Sequence, residues 1–532
     1  MTESMYLKPN VMSEPLINGW YAWSYLLSPH HLAMCTANKQ LKIMESFIKA
    51  PLIHQNAVKN PALIGGPFMD HPAESADEVN QLIEHTRHQY QHLIKLAEDI
   101  KTADQMLEQN AKGQGLREFY TQLPESLRGF VELVYDTNHQ ASIRFIEALL
   151  YQSHYYCPQA QILAFSLHDC DKRSFTLSTP RLESDEQFHL SIPFADPMLD
   201  ELFKMRRTPG NVDRLKHYFD LSSDEIFDSF FTSTPPKRNG TRYQGNGVRI
   251  RYFGHACILI ETNEVSLLTD PLISYFSDVE PERYSLEDLP EFIDYVLITH
   301  NHQDHVIFET LLQIRHQVGQ VLIPKNNGGY LGDPSLKLIF KHLGFKNVVE
   351  MDEMDQLNIQ NGCIHSLPFL GEHGDLNIRA KNAFWVELKG KKFLLAADSN
   401  NIDPTLYKHI YQHLGDVDLI FLGMECEGAP ISWLCGPLFT RTLSRAHDES
   451  RRLDGCNFER ALTMVEQFNP QHVYVYAMGG EPWLGHMMGL EYEDDSPQLL
   501  ESNKLIAACR EKGIAADRPY CKMELELELV PA

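Results

Sequence analysis

Two textures of apolar and polar positions divide this chain. From Ala76 to about Gln109, "ADEVNQLIEHTRHQYQHLIKLAEDIKTADQMLEQ" repeats its apolar residues at helical spacing with few breakers. Val79, Leu82, Ile83, Tyr90, Leu93 and Ile94 form one stripe, which predicts a long amphipathic helix. "LRGFVELVYD" and "SIRFIEALLYQ" are expected to continue in the same helical manner. A shorter mixed region follows, and then "TSTPPKRNGTRYQGNG" (232–247), rich in Pro, Gly and polar residues, where a domain boundary is expected. Beyond it the apolar residues gather into short runs with helical patterns between them: "VRIRYFG", "YVLITH", "HSLPFLG", "KFLLAAD", "VDLIFLG" and "VYVYAMG". These predict a sheet-rich α/β layer architecture. "KMELELELV" near the end alternates strictly, as a strand with one wet face does. The expected division is a mainly helical α+β domain over 1–240 and an α/β domain over 246–532.

Composition narrows the function. At 532 residues, 43% hydrophobic and 22% charged, the chain has the makeup of a globular protein too long for one core. A formal net charge of −25 disfavours nucleic-acid binding, which depends on basic residues meeting phosphates. No long uninterrupted apolar stretch suggests a membrane span, and the first residues lack the basic and apolar pattern of a signal peptide. The ten cysteines include no C-x-x-C pair. They suggest neither a disulfide framework nor a zinc knuckle, and fit a reducing cytoplasm. No G-x-G-x-x-G or P-loop is present, so neither a nicotinamide domain nor an ATP site is expected.

The chemistry concentrates in "ITHNHQDHVIF" (298–308). His300, His302, Asp304 and His305 crowd together directly after an apolar strand-like run, and imidazoles packed against a carboxylate need a cation between them. Extended alternation points His300 and His302 the same way, toward one metal, and leaves Asp304 and His305 for a second. Further acids end other predicted strands: Glu372 after "HSLPFLG", Asp398 after "KFLLAA", and Glu425 after "VDLIFLGM". In an α/β sheet these ends converge, so Glu372 and Asp398 are candidate ligands, with Asp398 the natural bridge, and Glu425 is a neighbouring acid. A second histidine set, His85, His88 and His92, lies opposite the helix's apolar stripe and is expected to be solvated surface.

H-x-H-x-D-H is a two-metal pattern of the metallo-β-lactamase fold, and most of 246–532 resembles that superfamily in order. "YFGHACILIET" looks like its opening strand pair, and Asp270 in "LLTDPLI" like its structural aspartate. "AADSN" resembles its bridging-aspartate motif. His255, Asp270 and His373 are expected around the ligands rather than among them. Two departures set the chemistry apart from its zinc hydrolases. Glu372, not a histidine, directly follows Gly371, and no ligand ends the late strand "HVYVYAM"; His486, further on, is a remote possibility. Three histidines and three carboxylates make a harder, more anionic site suited to iron or manganese.

That combination resembles the CmlA-type diiron β-hydroxylases of nonribosomal peptide assembly over the whole chain. The resemblance implies two iron ions: His300, His302 and Glu372 on the first, Asp304 and His305 on the second, Asp398 bridging, and a gating or conditional role for Glu425. It further implies an O2-dependent monooxygenase acting on the β-carbon of an amino acid. That amino acid would be held as a thioester on the phosphopantetheine arm of a synthetase carrier domain. A separate reductase as electron donor, and a homodimer formed through the first domain, belong to the same expectation. Candidate basic patches for the carrier are "KMRRTPGNVDRLKH" (204–217) and "PPKRNGTRYQGNGVRIR" (235–251). Two rivals predict differently. A dizinc hydrolase would use His373 as the third ligand, and an oxygen-sensing diiron module would bind oxygen without turnover.

Overall fold

A computed structural model describes residues 4–184, 187–221, 225–237, 240–278 and 280–528. The short apolar runs of the second half become two seven-stranded sheets. The first orders its strands Val348–Met351, Val318–Pro324, Ile293–Leu297, Ser266–Thr269, Cys257–Glu261, Val248–Gly254 and Met523–Leu527. The second runs Gln356–Ile359, Gly362–Leu367, Ala383–Leu388, Lys391–Leu395, Leu419–Gly423, His472–Tyr476 and Ala515–Asp517. All six predicted runs fall on these strands. The sheets face each other over one apolar core that includes Ile250, Leu297, Leu322, Phe384, Phe393 and Phe421. Each fully buried side chain of this kind stabilises the fold by roughly 1.5–3 kcal/mol, so the sandwich is a firm base for a site at its edge.

Helices Thr405–Leu414, Phe458–Phe468 and Pro497–Glu511 cover the outer face of the second sheet. The outer face of the first shares its core with the N-terminal half. The strand Met523–Leu527 pairs antiparallel with Val248–Gly254, and Glu524 and Glu526 face solvent as the alternation requires. Val530, at the end of that predicted strand, lies outside the described residues, as do Arg238 and Asn239 of the second basic patch.

The N-terminal half is less helical than its pattern suggests. The long helix exists but is interrupted at Tyr90, giving Ala76–Gln89 and Gln91–Asn110. His85 and His88 are exposed, whereas His92 is half-buried beside Cys157 and His154, so the three share no site. "LRGFVELVYD" and "SIRFIEALLYQ" do not continue the helix. They form the antiparallel hairpin Val131–Tyr135 with Ala141–Phe145, followed by one helical turn at Glu147–Leu150. The physical reason is local. Val131 and Leu133 alternate with exposed Glu132, and the Asp136 carboxylate accepts the backbone N–H groups of Asn138 and Gln140, closing the turn. A four-stranded antiparallel sheet (Trp20–Tyr21, Val11–Ile17, Gln161–Leu167 and Phe188–Ser191) and a three-stranded one (Gly210–Asn211, Ser4–Leu7 and Phe231–Thr232) also belong to this half.

Four arginines of the basic patches are internal ties: Arg206, Arg207, Arg249 and Arg251. Arg206 donates to the carbonyls of Lys8, Pro9 and Val11, and Arg207 to those of Gly240 and Leu289. Arg249 and Arg251 both bind Glu261. All ten cysteines are free. Among the described residues, no helix is long and apolar enough to cross a membrane.

Candidate metal centre

The functional side chains meet where strands end. The quartet follows Ile293–Leu297, Glu372 follows Gly362–Leu367, Asp398 follows Lys391–Leu395, and Glu425 follows Leu419–Gly423. Three buried groupings result, each able to offer one ligand atom per residue within 4.8 Å: His300–His302–Glu372, His300–His305–Asp398 and His255–Asp304–His305. The Asp398 carboxylate lies 3.6 Å from His300 Nε2 and 2.9 Å from His305 Nε2, between the two ends of the cluster. His302 Nδ1 is 2.7 Å from Glu372 Oε1, and His300 Nε2 is 3.5 Å from Glu372 Oε2. Gly423 makes room for Asp398, because a Cβ there would stand 2.5 Å from its Oδ1.

The surrounding groups hold these side chains in place. Asp270 accepts the Thr299 backbone N–H at 2.8 Å and the Thr299 hydroxyl at 2.5 Å, and its Oδ2 faces His305 Nδ1 at 2.8 Å. That leaves His305 Nε2 aimed at Asp304 and Asp398. An outer carboxylate of this kind fixes the orientation of an imidazole and raises its basicity. His255 Nε2 sits 3.0 Å from Asp304 Oδ2, close enough to serve either as such a partner or within the cluster. His373 Nδ1 faces Glu372 Oε2 at 3.1 Å but belongs to none of the three groupings. His486 is elsewhere: its Nε2 meets Arg173 at 2.5 Å, and it plays no part in the cluster.

Backbone strain concentrates here too. His255, Asp270, Glu372 and Ala397 all adopt positive φ (51°, 32°, 68° and 49°), a costly conformation for residues with a Cβ, held by the surrounding packing. No sequence pattern announces it.

The electrostatics call for a cation. Burial pushes the Glu372 carboxyl up to about 7, with His302 opposing and Asp398 and Asp304 adding to the rise. Glu425 is driven well above the carboxylate range by burial and by Asp398, Glu372 and Asp304. His300 is held well below its ordinary value by burial and the adjacent His305 and His302. His305 moves the other way, because Asp304, Asp398 and Asp270 outweigh the penalty of its burial. The nitrogens His300 Nε2, His302 Nε2 and His305 Nε2 and the oxygen Glu372 Oε2 are buried without a hydrogen-bond partner. Such atoms are costly to bury unless something coordinates them. Two metal ions sharing Asp398 fit this donor set, and imidazole with carboxylate suits iron.

A cavity of about 470 Å³ opens onto the cluster, with His302, Asp304, Glu372, Asp398 and Glu425 on its wall. Its remaining wall is mostly apolar, including Trp433, Leu453, Met478, Met488 and Tyr492. A loop of the N-terminal half, Ala62 to Phe68, also lines it. Sequence reasoning missed that loop; its only signal was the Gly-Gly-Pro run in "ALIGGPF". Thr299 was missed as well.

Two facing sheets with histidines and carboxylates at the strand ends define a metal centre on the metallo-β-lactamase fold. The family profile of the diiron non-heme β-hydroxylase N-terminal domain matches residues 6–235, and that of the β-lactamase superfamily domain matches 249–419. A relative in Streptomyces venezuelae, 4-amino-L-phenylalanyl-[CmlP-peptidyl-carrier-protein] 3-hydroxylase, is 39% identical over 98% of this chain and 99% of its own length. The crystal structure of CmlA, a diiron β-hydroxylase from Streptomyces venezuelae, superposes with a TM-score of 0.93 at 38% identity, covering 99% of this chain and 100% of that one. N-acyl-phosphatidylethanolamine-hydrolyzing phospholipase D 1 of Caenorhabditis elegans is 29% identical over 42% of this chain and 65% of its own. The chain belongs to the CmlA family of diiron non-heme β-hydroxylases.

Proposed function

We propose that this protein is an O2-dependent diiron monooxygenase. Its substrate would be an aminoacyl group thioester-bound to the carrier domain of a nonribosomal peptide synthetase, and its product the β-hydroxylated aminoacyl group. The observation that carries this is Glu372 beside His300 and His302, in the position where the fold's hydrolases use a histidine. Its carboxylate makes the centre suited to iron, which can change valence as zinc cannot.

His300, His302 and Glu372 would hold one iron, Asp304 and His305 the other, and Asp398 both. The irons, when bound and reduced by a separate donor protein, supply oxygen activation. The chain supplies the rest. Asp270 keeps His305 Nδ1 engaged so that Nε2 points inward. The Ala62–Phe68 loop and the apolar wall exclude water and orient the substrate, which favours attack at one carbon. Glu425, on the cavity wall beside the cluster, would act as a gate or conditional ligand. The apolar wall suits an uncharged aliphatic or aromatic side chain. Residues 1–240 would provide the dimer contact and part of the substrate enclosure.

The test is metal content together with turnover. Protein purified in air is expected to carry about two irons per chain, and Glu372→His to lose iron or shift toward zinc. With a chemical reductant, the wild type should add one oxygen atom to a carrier-bound amino acid. Two zincs in the wild type, unaffected by Glu372→His and accompanied by thioester hydrolysis, would replace this assignment with a dizinc hydrolase.

A further inference from the structure

A second cavity, about 420 Å³, adjoins the first and shares four wall residues with it: Gly65, Gly66, Pro67 and Trp433. These four form the partition between the two spaces. The Trp433 indole Nε1 donates to the Gly65 carbonyl at 2.9 Å, tying the two sides of the partition together. Gly65 takes φ +77°, so this turn is built from residues that can rearrange at small steric cost.

Asn38 and Lys39 line the second cavity and not the first. Both sit in a five-residue π-helical stretch, Thr36–Gln40, inserted between the helices Pro29–Cys35 and Leu41–Lys49. An insertion of this kind rotates side chains out of helical register and is frequent at functional sites. Asn38 donates to the Pro437 carbonyl at 2.7 Å, and Lys101 Nζ donates to Asn38 Oδ1. Lys39 Nζ donates to the Trp433 carbonyl at 3.3 Å. Lys42 is exposed one turn on, close enough to Lys101 to disfavour its charge, after burial, which is the larger effect. Among the described residues, none of these three lysines has an ion-pair partner, although the chain's net charge is −25 and Arg206, Arg242, Arg249 and Arg251 of the patches are paired internally. Burial pulls Lys39 down to about 8, and an anion beside it would restore its charge. Lys39 on the cavity wall, Lys101 joined to that wall through Asn38, and Lys42 beside Lys101 bring positive charge to a cavity that shares a partition with the one at the metal centre, and this calls for an elongated ligand with an anionic end.

Building on the hydroxylase assignment above, we propose that this second cavity is the corridor for the carrier's phosphopantetheine arm. Lys39, Lys42 and Lys101 take its phosphate, and the thioester end passes Gly65–Pro67 and Trp433 to reach the metal centre. The arm fits because it is long and thin, with a phosphodiester at one end and neutral amides between. The sequence patches at 204–217 and 235–251 are excluded from this role in so far as Arg206, Arg207, Arg249 and Arg251 are committed to internal contacts.

Calorimetric titration of the iron-loaded full-length protein with 4′-phosphopantetheine and with pantetheine, which lacks the phosphate, tests this directly. The phosphorylated compound is expected to bind about tenfold more tightly at low salt. In Lys39→Gln/Lys101→Gln that advantage should disappear while pantetheine binding persists. Lys42→Gln, an exposed change that cannot disturb the fold, should reduce it in part. Equal affinity for the two compounds, or an advantage that survives the double substitution, overturns the corridor. Carrier-bound substrates then separate the two ideas. If lysine variants raise KM for the aminoacyl carrier at unchanged kcat, the corridor is supported. If turnover is normal and KM unmoved, the corridor fails and the hydroxylase stands. If no aminoacyl carrier is hydroxylated while the phosphate advantage remains, the hydroxylase assignment fails and the anion-binding corridor stands.

Discussion

Two of the charged clusters that the protein buries are built in opposite ways. At the strand ends, three histidines and the carboxylates of Asp304, Glu372 and Asp398 converge, leaving buried nitrogens and an oxygen without partners. At the junction of the two halves, Arg173 meets Glu14 at 3.1 Å and Glu309 at 3.0 Å, and Arg181 meets Glu14 at 2.9 Å. There Tyr21 and Tyr275 donate to Glu309, each at 2.7 Å, and His486 completes the network. Acid behaviour follows the difference. Burial pushes Glu372 up to about 7 in the first cluster. In the second, burial also pushes upward on Glu14, but Arg181 and Arg173 pull it down to about 2. A cluster that carries its own cations ties the fold together, and one without them is built to receive cations from outside.

Breaking the first cluster should cost function and spare the fold. Asp398→Ala removes the carboxylate set between both ends of the centre. Bound iron should fall well below that of the wild type and hydroxylation by at least about a thousandfold, while the melting temperature of metal-free protein changes little. Full iron and turnover in this variant would remove Asp398 from the bridging position.

Breaking the second should do the reverse. Arg173→Met leaves Glu309 without its cation and Glu14 with only Arg181, and is expected to destabilise the protein by about 3–5 kcal/mol in denaturant unfolding. Iron content of the folded fraction should stay the same. The acid limb of stability gives the sign. Glu14 titrates below its ordinary 4.5 in the folded state, so its contribution is present above that pH and lost as the pH falls toward about 2. In Arg173→Met this loss should be smaller and complete at a higher pH, because the folded-state value moves back toward 4.5. An unchanged acid limb would mean that the pairing contributes no net stability.

The smallest effect tests the link between a carboxylate and the histidine that it orients. Asp270→Asn keeps the shape beside Thr299 but weakens the grip on His305 Nδ1. Affinity for the more weakly held metal should drop about ten- to a hundredfold, with the fold intact, as read by chelator competition. Equal affinity would confine Asp270 to a purely structural role.

Much of the centre was legible because its signals are local. Four ligand-type residues within six positions after an apolar run, and acids closing other apolar runs, need only the rule that strand ends converge. Glu372 in place of a histidine could be read directly as a change of metal chemistry. The strands of the second half were legible for the same reason, as short apolar runs bounded by breakers. The hairpin at 131–145 was misread because "LRGFVELVYD" carries both a helical and an alternating pattern, and only the Asp136 turn and the packing of Val131 and Leu133 decide between them.

The sequence by itself determined which side chains could bind metal and the order in which the strands present them. These follow from residue type and short-range periodicity. Only the tertiary structure decided that Ala62–Phe68 lines the cavity, that His486 and Arg206, Arg207, Arg249 and Arg251 belong to internal networks, and that Lys39 lines a second cavity to which Lys101 is joined through Asn38. The reason is physical. Each depends on contacts between residues tens to hundreds of positions apart, and whether a charged side chain is paired or free is settled by packing, to which no local pattern is a guide.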